Sequence, residues 1–85
     1  MAQFEIIPIR KNSRKLKAIW EKGTNAQRFD QDNYFNGSPV ALKYVKETYE
    51  RFDGKLTWSP GRQRYTVHIH SNLFYHFDGP DPREL

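Results

Sequence analysis

Three histidines, His68, His70 and His76, are the residues best equipped for chemistry, and all stand near the C-terminus. Imidazole binds metals, moves protons near neutrality, or serves as a flat polar ring beside a base. A metal site requires the three rings to converge. Along one extended chain His70 and His76 would stand roughly 20 Å apart, so only a hairpin brings them together. A two- or four-residue loop turns His76 away from His68 and His70. A three-residue loop around Ser71–Leu73 sets Val67 opposite Phe77, Ile69 opposite Tyr75, and His68 opposite His76 on the face that His70 shares. No carboxylate lies among these strands and the chain has no cysteine. The expected complement of metals and cofactors is none.

Other catalytic signals are sparse. There is no Gly-rich phosphate loop, no telling pair of carboxylates, and no Ser/His/Asp grouping that sequence alone assembles. Gly37-Ser38 could hold an anion at a helix start, but capping explains it more simply. The reading is a nonenzymatic binding domain. Between Arg10 and Lys22 the cations Arg10, Lys11, Arg14, Lys15, Lys17 and Lys22 face Glu21 alone, in a chain of net charge +4. Such a cluster attracts phosphate backbones or an acidic protein surface.

The elements that must position these residues follow from periodicity. In Arg64–His70 the odd positions Tyr65, Val67 and Ile69 are apolar and the even ones polar; Leu73, Tyr75 and Phe77 form the matching set in the next strand. With Lys55–Ser59 and a Pro60-Gly61 turn ahead of them, these segments predict a three-stranded antiparallel meander. Leu56 and Trp58 point inward. Lys55, Thr57, Ser59, Arg64, Thr66, His68, His70, Phe74 and His76 then share an outer face. Ser38-Pro39 predicts the start of a helix over about 39–53, with Ala41, Tyr44, Val45, Thr48 and Phe52 recurring at helical spacing and Gly54 as its stop. Ser13 caps a shorter helix carrying Leu16, Ile19 and Trp20, although Leu16, Ala18 and Trp20 also alternate as a strand would. Phe4–Ile9 is an N-terminal strand with apolar residues on both faces. Thr24–Gly37 reads as loop, with room for a second short turn of helix.

The fold class is therefore α+β: one small domain over 1–85, its main helix packed on an antiparallel sheet, with an irregular, exposed tail at 79–85. Six Phe, five Tyr and two Trp in 85 residues supply the core area that so short a chain otherwise lacks. No apolar run approaches the roughly 20 residues of a membrane span, and the N-terminus makes a poor signal peptide. A cytoplasmic protein with no membrane partner is expected.

The expected function is binding of single-stranded RNA or DNA. Lys55, Arg62, Arg64, His68, His70, Phe74 and His76 on the outer sheet face would act with Arg10, Lys11, Arg14, Lys15 and Lys17. The alternative is a protein-binding inhibitor or adaptor of the kind phages and mobile elements encode, using Phe29, Tyr34 and Phe35. The element order also resembles that of the small ribonuclease toxins of bacterial toxin–antitoxin pairs, without a motif match. That resemblance implies Arg62, Arg64, Tyr75 and His76 around a scissile phosphate.

Overall fold

The structure, a computed structural model, describes residues 5–7, 10, 13–30 and 36–85. Chain order is β1 (Glu5–Ile6), α1 (Arg14–Lys22), β2 (Ala26–Asp30), β3 (Asn36–Val40), α2 (Leu42–Phe52), β4 (Lys55–Ser59), β5 (Arg64–His70) and β6 (Leu73–Phe77). The six strands form one sheet in the order β1-β4-β5-β6-β2-β3, and every neighbouring pair is antiparallel. Both helices pack on one face. Leu16, Ile19 and Trp20 of α1 and Leu42, Val45 and Tyr49 of α2 meet Leu56, Trp58, Tyr65, Val67, Tyr75 and Phe77 in one buried cluster. Trp20 stacks on Phe77 at 5.3 Å and meets Tyr49 edge-on at 6.1 Å, geometry that aromatic quadrupoles favour.

Residues 14–22 are helix, not strand. Ser13 Oγ accepts from the Leu16 N–H at 3.2 Å, and the Gly23 N–H closes the last turn on Ile19 O at 2.9 Å. The capped ends satisfy donors and acceptors that a short helix cannot satisfy internally.

Several expectations need correction. The Thr24–Gly37 stretch is not a loop throughout, because β2 and β3 occupy its two ends. Ser38-Pro39 does not open α2. Pro39 lies in β3 opposite Gln27, and Ala41 takes the N-cap without a side-chain bond. β3 is an edge strand, where a missing N–H costs least. The stop of α2 is Asp53 in the left-handed region (φ 54), while Gly54 donates to Tyr49 O. The buried stripe of α2 is Leu42, Val45 and Tyr49. Tyr44 and Phe52, expected inward, are 54% and 56% exposed.

The N-terminal strand is confirmed only at Glu5–Ile6, paired with Trp58 and Thr57. Ile6 is exposed whereas Ile7 packs against the core. Phe4, Pro8 and Ile9 lie outside the described residues. The tail is more ordered than expected. The Tyr65 hydroxyl donates to Pro80 O, Pro82–Glu84 form a 3-10 turn capped by Asp81, and Leu85 packs on the core.

Candidate functional site

The face away from the helices is built in rungs that the strand register sets. One rung runs Lys55, His68, Phe74, Phe29; the next runs Thr57, Thr66, His76, Gln27. Directly opposed residues share a face, so these eight side chains stand together. The parity read from the sequence holds, but its cause is different. The turn between β5 and β6 has two residues, Ser71 and Asn72, and pairs His70 with Leu73. A bulge between His68 and His70 then restores the alternation, giving His68 opposite Phe74, Thr66 opposite His76 and Val67 opposite Tyr75. One extra residue in β5, Ile69, absorbs the mismatch. It is buried at 7%, and its burial offsets the lost pairing.

The bulge splits the histidines. His68 and His76 share the outer face, whereas His70 lies beyond the bulge opposite Leu73, its Nδ1 accepting from the Asn72 N–H at 3.3 Å. His68 opposite His76 is therefore corrected, and so is His70 as a member of their row. Among the described residues no group of three His, Asp or Glu side chains converges as a metal site.

The floor and the crest of the face differ. Thr57, Thr66 and Ser59 are buried, at 5%, 2% and 0% exposure, so the short side chains form a dry floor. Above it, Phe29 and Phe74 stack at 5.8 Å, Phe29 and His76 stand 4.7 Å apart, Phe74 and His76 5.3 Å, and His68 and Phe74 6.1 Å. Thr66 Oγ1 holds His76 Nδ1 at 2.8 Å and fixes the plane of the ring. Burial, with Arg64, His68 and Arg62 nearby, pushes the His76 pKa down to about 4. Burial and Lys55 push that of His68 down as well. Both rings are thus held toward the neutral form, in which a ring nitrogen can accept as well as donate.

Arg64, Arg62 and Lys55 rim this cluster, Arg64 and Lys55 at opposite ends of the β4–β5 pairing and Arg62 in the turn that joins the two strands. At the Arg64 end a cavity of about 380 Å3 opens between β2, β5 and β6, lined by Thr24, Asn25, Gln27, Phe29, Arg64, His76, Phe77 and Asp78.

Of the cations expected to act with this face, Arg10, Arg14, Lys15 and Lys17 are exposed. The last three lie on α1, which covers the opposite side of the sheet. The structure does not bring Arg14, Lys15 or Lys17 to the outer face. Lys11, Tyr34 and Phe35 lie outside the described residues. Phe29, read as a loop anchor, is instead a strand residue inside the aromatic cluster. Tyr75 is 1% exposed in the core, so the sheet separates its ring from His76 and Arg64. Sequence reasoning missed Asn25, Gln27 and Asp78. Asn25, Gln27 and Phe29 alternate, but the intervening Ala26 and Arg28 made a weak strand signal.

Fold and site together define a small α+β domain with both helices on one face of its sheet and an aromatic, cation-rimmed face on the other. No protein-family model matches this chain, and neither a curated protein nor a solved structure is significantly similar to it.

Proposed function

We propose that this chain is a nonenzymatic domain that binds single-stranded RNA or DNA on the outer face of its sheet. The observation that carries the reading is the ring cluster of Phe29, Phe74, His68 and His76 beside Lys55, Arg62 and Arg64. Partly exposed rings over a dry floor offer π-faces to unstacked bases. Cations at either end neutralise the connecting phosphates, the combination that grips single strands with little sequence preference. The basic surface of α1, across the sheet, adds to the attractive field without touching the same strand. A filter-binding titration with single-stranded RNA and DNA should show affinity that falls steeply with salt. Flat, near-zero binding at every salt concentration rejects the proposal.

A second reading, a protein-binding inhibitor or adaptor, is favoured by one observation. Tyr44 and Phe52 of α2 are 54% and 56% exposed and flank a groove with Glu47, Thr48 and Arg51. Large exposed aromatics are common anchors of protein interfaces. This reading predicts a stoichiometric partner in a pull-down from the native host that is lost on Tyr44→Ala with Phe52→Ala. Absence of such a partner removes it.

A further inference from the structure

We infer that the cavity at the Arg64 end of the outer face is a nucleobase pocket selective for guanine. The inference rests on the proposed function and names the base that this part of the face takes. The cavity measures about 380 Å3, within the roughly 300–1,000 Å3 of small-molecule sites. One wall is aromatic, formed by Phe29 with His76 4.7 Å away. Pairing of β5 with β6 runs to Tyr65↔Phe77, so the next rung sets Arg64 beside Asp78 on the row that holds His76. On the β2 side Gln27 stands opposite His76, and Asn25 follows one step further along.

The chemistry of this set selects its ligand. A guanidinium only donates and a carboxylate only accepts. A ligand that engages both groups bidentately presents two neighbouring acceptors to Arg64 and two neighbouring donors to Asp78. Guanine does both: O6 and N7 are adjacent acceptors, the pair that arginine reads bidentately, while N1–H and N2–H are adjacent donors. Adenine and cytosine offer one exocyclic amino group beside ring acceptors, and uracil one N–H between two carbonyls. None of these fills both carboxylate oxygens with neighbouring N–H groups. Asn25 and Gln27 can serve either edge, and Phe29 supplies the stacking face. Neither Arg64 nor Asp78 takes part in the ion pairs found among the described residues. The backbone carbonyl of Asp78 accepts from the Thr24 N–H at 2.9 Å, so the main chain holds the residue and leaves its carboxylate to the ligand.

The test is fluorescence anisotropy with a labelled ten-nucleotide uridine tract and with the same tract bearing one central G, A or C. The G-bearing strand should bind about 10-fold tighter than the other three. Asp78→Asn, shown to be folded by circular dichroism, should bring the G-to-U affinity ratio close to one. Equal affinity for all four strands, with salt-dependent binding intact, overturns the guanine pocket and leaves the proposed function standing. A preference for A or C, or a G preference that survives Asp78→Asn, overturns it likewise. Failure of every strand to bind overturns both.

Discussion

His76 stands where the aromatic rings, the threonine floor and the arginines meet, and its environment makes a prediction about charge. Its folded pKa is about 4 against an ordinary 6.5, chiefly through burial and secondarily through Arg64, His68 and Arg62. Between these values the unfolded chain binds a proton that the folded chain refuses. Stability contributed by neutral His76 is therefore full above about pH 6.5 and is lost as pH falls toward about 4. The imidazole resonances of His76 should titrate near pH 4, and thermal melts of His76→Gln should lose less stability over that window than the parent. A midpoint near 6.5 contradicts the burial assigned to the ring. Phe74 makes the companion prediction. It is only partly buried, so Phe74→Ala should fold, yet weaken single-strand binding by about 5- to 150-fold if one base stacks on it. Anisotropy titration measures that loss. Ser59, fully buried with no hydrogen-bond partner for its hydroxyl among the described residues, carries a desolvation cost. Ser59→Ala should therefore raise stability by about 1 kcal/mol in chemical denaturation.

At the level of elements, the outer face depends on two devices, a bulge that the sequence hides and a close approach that it half declares. Polar and apolar alternation made the two faces of β5 and β6 legible, because burial selects any register that keeps Tyr65, Val67, Tyr75 and Phe77 together. Alternation cannot tell a three-residue loop from a two-residue turn with a bulge, since both preserve parity. That ambiguity moved His68 from His76 to Phe74 and took His70 out of the row. α1 was legible in outline through Ser13, Gly23 and the spacing of Leu16, Ile19 and Trp20. The start of α2 was not, since a serine–proline pair suits an edge strand as well as a helix N-terminus. β2 and β3 were hidden because Ala26, Arg28, Gly37 and Pro39 are poor strand formers whose places tertiary pairing decides. Gly23 tests the close approach. Its φ of −76° suits any residue, and Gly→Ala at such a site would ordinarily stabilise through the unfolded chain. A Cβ there would stand 2.8 Å from Leu42 Cδ1 and 2.9 Å from Ile19 O. Overpacking should win, and Gly23→Ala should cost about 1–3 kcal/mol in urea denaturation.

For the whole molecule, the sheet divides two basic regions that the linear sequence places in a single functional list. Arg62, Arg64 and Lys55 rim the open face, while Arg14, Lys15 and Lys17 belong to a helix packed on the other. Phosphate contacts set the slope of affinity against salt, about 0.7 per contact on a single strand. Lys55→Gln, at the rim of the open face, should therefore flatten that slope by about 0.7, whereas Lys15→Gln should leave it nearly unchanged; equal effects would place the strand elsewhere. Among the described residues no helix is long and apolar enough to cross a membrane, and the helices bury Leu16, Ile19 and Trp20 of α1 and Leu42, Val45 and Tyr49 of α2 in the core. The outer face is where, among the described residues, Phe29, Phe74, His68 and His76 coincide with Lys55, Arg62 and Arg64. The most direct measurement is a titration of the isotope-labelled protein with an unlabelled single strand, followed by amide chemical shifts. The account predicts perturbations concentrated at Gln27, Phe29, Thr66, His68, Phe74 and His76, with the exposed sides of α1 and α2 largely silent. Perturbations confined to either helix, or none at saturating strand, would contradict it.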